Sequence, residues 1–210
     1  MTTVPRTYLV HKRCLDVLIS SVVLLVLAPA LLLIAVAVLL DSRGPILFRQ
    51  SRIGRDGRVF QMLKFRTMVD GAERMGTGLF SYADDDRVTR VGRVLRRASL
   101  DELPQLWNVL RGEMSLVGPR PPVVNELGPY DSLSDAVRVR FTVPPGITGL
   151  AQVSGRNELE WPEKFVYDLE YVRRFTRAGV LEDVRLLFKT LLVVLTGRGV
   201  IEPRREEEAA

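Results

Sequence analysis

Asp101 and Glu102 are adjacent carboxylates that come shortly after Arg96 and Arg97 and are followed by a Pro-Arg-Pro-Pro corner at 119–122. Two acids framed by guanidinium groups suit either the start of a helix or a site for an anionic substrate. Ser99 and Glu102 have the spacing of a capping box, under which Glu102 does no more than close a helix N-terminus. That account leaves Asp101 unexplained. A carboxylate in a first helical turn faces free backbone N–H groups and the positive end of the helix dipole, which keep it ionised and nucleophilic. The same N–H groups welcome a phosphate. Pro104 places the start of the helix proper slightly later, because proline is best tolerated at the first helical position.

Other catalytic chemistries are excluded by composition. His11 and Cys14 are the only histidine and cysteine. A histidine triad, a multi-histidine metal cluster, a Cys-rich zinc site and an internal disulfide are therefore all ruled out, and catalysis falls to carboxylates, lysines or hydroxyls. Lysine and arginine total 30 against 25 acids, a net charge of +5. Three of the acids lie in the closing run at 206–208, so residues 1–205 alone carry +8. Such a body favours an anionic partner, and nucleic acid, lipid headgroups and phosphorylated small molecules all qualify.

The elements that must position these groups begin with a membrane segment. Residues 22–40, "VVLLVLAPALLLIAVAVLL", are 19 residues without a polar side chain, within the ~17–25 that cross a bilayer. A signal peptide is disfavoured by the length of the run and by the lack of a small-residue cleavage site after it. Pro29 near its middle lacks an N–H and opposes the carbonyl of Leu25, so a kink is expected. Lys12 and Arg13 precede the run, and Arg43, Arg49, Arg52 and Arg55 follow it. The positive-inside rule then asks for both ends on the cytoplasmic side, which a re-entrant hairpin satisfies and a simple span does not. Proline is tolerated in spanning helices, so physics alone leaves both forms open. Lys12 is expected to pair with Asp16 one turn on.

The remaining 160 or so residues, about one domain, read as follows. Residues 45–68 form a short hairpin broken at Gly54 and Asp56-Gly57, with Lys64 and Arg66 after the turn. Residues 86–97 form a helix, with Val88, Val91, Val94 and Leu95 on one side and Arg87, Arg90, Arg93 and Arg97 along the other; most of that row reads as a solvated face, with Arg96 and Arg97, nearest the carboxylate pair, as the exceptions. "GPRPP" at 118–122 and "VPPGITGLAQVSGRN" at 143–157 read as loops. The apolar run from Leu186 to Leu195, interrupted by Lys189, fits a core or an interfacial helix. Residues 199–210 are expected to be a disordered tail.

The apolar run, "KFRTM" at 64–68, "SLDELPQLWNVLRGEMSLVGPRP" at 99–121 and "PGITGLAQVSGRN" at 145–157 occur in that order. In these the chain resembles the bacterial sugar transferases that load phosphosugars onto polyprenyl phosphate, specifically the small monotopic phosphoglycosyl transferases. The resemblance extends from about Lys12 to Thr196 and is to the minimal form, without a preceding set of membrane helices. It implies an α/β, mainly helical fold. Residues 1–43 would hold a re-entrant membrane helix kinked at Pro29, and residues 44–198 a small cytoplasmic catalytic domain with interfacial amphipathic helices. It implies that Asp101 is the nucleophile and that Glu102 helps to bind Mg²⁺. Lys64, Arg96, Arg120 and Asp168 match positions associated with the active site, whereas Arg66 and Arg49 are assigned surface or structural roles.

The implied reaction is attack of Asp101 on the sugar-bearing phosphate of a UDP-sugar, loss of UMP, and transfer to polyprenyl (undecaprenyl) phosphate at the bacterial inner membrane. Membrane lipids are expected partners, a homodimer is compatible with the reading, and nucleic acid is not expected. Two departures stand out. Ala28 precedes Pro29 where relatives often have serine, and residues 173–182 lack the usual polar signature. The competing class is a non-catalytic, membrane-anchored basic scaffold, which has no use for Asp101, Glu102 and Asp168.

Overall fold

The apolar run lies within one 36-residue helix, α1 (Arg6–Asp41), in the computed structural model. The described residues are 4–75, 85–124, 126–155 and 159–196, the last three by backbone only. The anticipated tail at 199–210 and residues 156–157 of the glycine-rich stretch lie outside them. Among the described residues α1 is the one helix long and apolar enough to cross a membrane. It continues through Pro29, whose ring is exposed.

One stripe of α1 faces the rest of the chain. Ile19, Val23 and Leu24 pack on the larger core, and Leu31, Ile34, Ala35 and Val38 join Phe65 and Leu95 in the smaller one. Leu18, Leu25, Val26, Leu32, Leu33 and Leu40, on its other sides, are exposed. The expected Lys12–Asp16 pair does not form. Lys12 Nζ instead donates to Asp183 at 2.6 Å and to the carbonyl of Val117 at 2.7 Å. Asp16 accepts from the Ser115 hydroxyl and the Leu116 N–H. Both groups are buried against the body, where a fixed tertiary partner displaces the weak pairing available one turn away on the helix surface.

The hairpin is as expected. β1 (Leu47–Ile53) and β2 (Val59–Phe65) pair antiparallel, with Gln50 opposite Met62. A short 3₁₀ turn at Arg55–Gly57 joins them, with Asp56 in left-handed conformation. The next helix is shorter than its periodicity suggests. α2 covers Arg90–Arg97, and its start is set by Thr89, whose hydroxyl accepts from the Gly92 N–H. Residues 87–89 run extended beside residues 67–69. Arg87 is accordingly no part of a solvated row: it is buried and joined to Asp85 at 2.7 Å.

After a 3₁₀ turn at Leu100–Glu102, α3 (Gln105–Arg111) begins directly behind Pro104. The stretch from 143 onwards is not simply a loop. It contains β4 (Gly146–Thr148), paired parallel with β3 (Ser115–Val117), followed by α5 (Leu150–Ser154). Backbones meet so closely there that a Cβ on Gly146 would lie 2.1 Å from the Gly118 nitrogen. The glycines that suggested a loop are present for close approach.

The short helix α4 (Asp135–Arg138) precedes β4, and two long helices close the fold: α6 (Trp161–Ala178) and α7 (Val180–Thr196). Gly179, at φ 58°, makes the corner between them. The atypical 173–182 segment is this corner, held by Arg174 to Glu170 at 2.8 Å and to Glu182 at 3.7 Å. Met62, Val109, Met114, Val117, Val143, Tyr171, Phe175 and Leu186 fill the larger core. The fold is thus mainly helical with two small sheets.

Candidate active site

The carboxylate pair owes its position to a sharp turn. α2 ends at Arg97, and Ser99 then adopts the left-handed conformation (φ 55°), which is costly for a residue with a side chain. The turn swings Leu100–Glu102 across the end of β2. Ser99 makes no side-chain cap bond, so the capping-box account of Glu102 fails. Glu102 Oε1 instead accepts from Lys64 Nζ at 2.8 Å and from Arg120 Nη2 at 3.0 Å.

Lys64 comes from β2, Arg120 from the proline corner after β3 and Arg96 from the last turn of α2. The Arg96 Nε donates to the Thr67 hydroxyl at 2.9 Å. Asp101 is 8 % exposed and forms no hydrogen bond or ion pair among the described residues. Burial pushes its carboxyl above the usual carboxylate range; the negative Glu102 adds to this, while Lys64, Arg96 and Arg120 oppose it. For Glu102, burial acts upward too, but the charges and hydrogen bonds of Lys64 and Arg120 outweigh it and hold the group well below its ordinary value. The Glu102 charge in turn raises Arg120, against the effect of burial. Two neighbouring carboxylates are thereby driven apart: Glu102 is ionised and paired, whereas Asp101 is unpaired among the described residues and gives up its proton less readily.

The β2 end of the site is held by Asn108 of α3, which sequence reading passed over. Its Oδ1 accepts from the Leu63 N–H, and its Nδ2 donates to the Gln61 carbonyl and to Glu113. Asp168 pairs with an arginine next to the Arg120 corner. It is 2 % exposed and bound to Arg140 at 2.8 Å, and Arg140 Nη2 donates to the carbonyl of Arg120 at 2.6 Å. Among the described residues Asp168 is linked to the Arg120 corner through Arg140, a residue that carried no motif signal. Arg66 is structural, as expected: it is buried and donates to the carbonyl oxygens of Val38 and Ser42.

Among the described residues no three His, Cys, Asp or Glu side chains gather as a metal cage. The donors present do fit Mg²⁺, which is commonly held by one or two carboxylates together with substrate phosphates and water. Asp101 and Glu102 supply such carboxylates, and only Oε1 of Glu102 is engaged by Lys64 and Arg120.

Residues 7–197 match the family described as "Bacterial sugar transferase". The chain is 42 % identical over 204 residues to the exopolysaccharide production protein ExoY of Sinorhizobium fredii, covering 90 % of this chain and 88 % of that one. It is 44 % identical over 188 residues to the UDP-glucose:undecaprenyl-phosphate glucose-1-phosphate transferase of Klebsiella pneumoniae, and 45 % over 186 residues to the Escherichia coli protein of that name. These alignments cover 87 % and 86 % of this chain but only 40 % and 39 % of those longer proteins.

Proposed function

The chain belongs to the bacterial sugar transferase family, and from that premise we propose that it transfers a hexose 1-phosphate from a UDP-sugar to undecaprenyl phosphate through a covalent aspartyl intermediate. The observation that carries this reading is a buried Asp101, without a hydrogen-bond partner among the described residues, lying in the field of three cations, Lys64, Arg96 and Arg120, two of which hold the adjacent Glu102.

An Asp101 carboxylate oxygen attacks the sugar-bearing phosphorus of the donor. The bond from that phosphorus to the bridging oxygen breaks, and UMP departs with the electron pair. An oxygen of undecaprenyl phosphate then attacks the same phosphorus and frees the Asp101 carboxylate, giving undecaprenyl diphosphate sugar. Dividing one difficult displacement into two is the use of a covalent nucleophile. Lys64, Arg96 and Arg120 offset the charge that develops on the phosphoryl and leaving oxygens. When bound by Glu102 and Asp101 with substrate phosphate oxygens, Mg²⁺ would neutralise the diphosphate further.

The same reading places α1 as a re-entrant helix in the bacterial inner membrane, with the catalytic part on the cytoplasmic side. Supporting this, both ends of α1 are fastened to one body. Near its start, Lys12 is bound to Asp183, and Arg13 donates to the carbonyls of Val109 and Leu110. At its end, Asp41 accepts from the Val91 N–H and the Ser42 carbonyl accepts from Arg66. A straight span would carry those two ends to opposite faces of the bilayer. Leu181, Val184, Phe188, Leu191 and Leu192 of α7 are exposed at helical spacing and suit an interfacial helix.

The test is Mg²⁺-dependent release of UMP from a panel of UDP-sugars, UDP-glucose first, with undecaprenyl phosphate present. Donor alone should leave a hexose-phosphate adduct on Asp101, detectable by mass spectrometry. Product formation without that adduct would overturn the covalent route. A basic scaffold would release no UMP at all.

A further inference from the structure

The proline corner that presents Arg120 has little with which to hold itself. Pro119, Pro121 and Pro122 carry no N–H, so within 119–122 only Arg120 has a backbone donor, and the segment must be fixed through its carbonyls. All four carbonyls are engaged. Pro119 accepts from the Gly146 N–H at 2.9 Å and Pro122 from the Ile53 N–H at 3.0 Å. The middle two are taken by arginine side chains: Arg120 by Arg140 at 2.6 Å and Pro121 by Arg52 Nη1 at 2.8 Å.

Arg140 is an unusual residue to find here. It is 4 % exposed, shares its charge with Asp168, and lies 5.1–5.7 Å from the ring centroids of Phe141, Trp161 and Phe165. Its Nη1 is buried and has no hydrogen-bond partner among the described residues, and with Arg120 and the prolines Arg140 lines a small cleft at the corner. A buried ion pair is seldom worth more to stability than apolar residues of the same volume, so stability alone is a weak reason for this one. The planar fork of an arginine, however, can hold a carboxylate and a carbonyl at once in fixed directions, which a lysine cannot do.

We propose that Arg140, oriented by Asp168 and assisted across the corner by Arg52, is the positioning residue that sets Arg120 against Glu102. This rests on the role given above to Arg120. Asp168 then contributes to turnover at one remove, through Arg140, and does not itself touch the donor.

The experiment has two parts on the full-length protein in detergent or nanodiscs. Hydrogen exchange of the Gly146 and Ile53 amides, which donate to the corner's carbonyls, reads the corner without reference to catalysis: Arg140→Met should raise it several-fold, and unchanged exchange would overturn the proposal. Steady-state kinetics then follow Arg140→Met, Arg140→Lys and Arg52→Lys in the wild-type and Arg120→Ala backgrounds. In the wild type, Arg140→Met and Arg140→Lys should each lower kcat at least tenfold with KM for the donor changed less than threefold, and Arg52→Lys less so. In the Arg120→Ala background, Arg140→Met should cost less than twofold more, because contacts acting through one group are not additive. An equal loss in both backgrounds would reject positioning in favour of general destabilisation. Raised exchange together with full activity of Arg120→Ala would instead leave positioning intact and reject the catalytic role of Arg120.

Discussion

Lys12 and Asp183 are 2.6 Å apart and at most 3 % exposed, although one lies in the first helix and the other in the last. The Tyr171 hydroxyl donates to the same carboxylate at 2.8 Å. This cluster ties the entry of the apolar helix to the strand that leads into the Arg120 corner, because Lys12 also holds the Val117 carbonyl. Lys12→Met strands a buried carboxylate and should cost roughly 3–5 kcal/mol. The double change Lys12→Met, Asp183→Leu should recover much of that loss. Thermal unfolding in a fixed detergent checks both.

Asp101→Asn should separate stability from activity. The raised Asp101 carboxyl means that the folded state disfavours its ionised form. Its relative contribution is full below the ordinary aspartate value of about 3.9 and is lost as pH rises through the higher folded value. At neutral pH the asparagine variant should therefore melt at a higher temperature than the parent, and the advantage should vanish in acid below about pH 4. Its turnover should fall at least ~10³-fold, as for other removed nucleophiles.

Glu102→Gln should behave in the opposite sense. Glu102 is held below its ordinary range by Lys64 and Arg120, so it adds stability above about pH 4.3 that is lost as pH falls toward its depressed value. The glutamine variant should melt lower than the parent at neutral pH and approach it in acid. On the proposed metal role it should also need more Mg²⁺ for half-maximal UMP release.

The re-entrant arrangement is open to labelling. With Cys14 replaced by serine, Arg6→Cys and Arg43→Cys supply single exposed thiols at the two ends of α1. A membrane-impermeant maleimide should modify both in inside-out vesicles and neither in right-side-out ones. Labelling of the two ends from opposite sides would establish a straight span.

Asn108→Leu should damage the β2 end of the site. The change leaves the Leu63 N–H and the Gln61 carbonyl without the partners described above. Each orphaned group costs about 1–3 kcal/mol, so the loss should be about 2–6 kcal/mol. Denaturant unfolding measures it.

What could be read in advance was what local pattern dictates. The hairpin followed from Gly54 and Asp56-Gly57, the α3 start from Pro104 and the long apolar helix α1 from 19 uninterrupted apolar residues. Pairing over long sequence distances could not be read. Lys12 has an obvious acid four residues away yet bonds one 171 positions on, and the capping-box spacing at Ser99 is a by-product of a turn built for other ends. Arg87 and Arg140 look like any surface arginine, because burial is a property of the neighbours that fold around them. The glycines at 146 and 149 announced a loop, while the close backbone approach they allow exists only once β3 is in place.

Fastening both ends of one apolar helix to a single body also limits how that body moves. A domain on one tether sweeps a hemisphere of solvent; one stapled at two points stays flat against the bilayer and slides only within its plane. On the proposed topology, acceptor capture becomes a two-dimensional search, so initial rates in vesicles should follow the mole fraction of undecaprenyl phosphate in the lipid and be indifferent to its amount per unit volume of buffer.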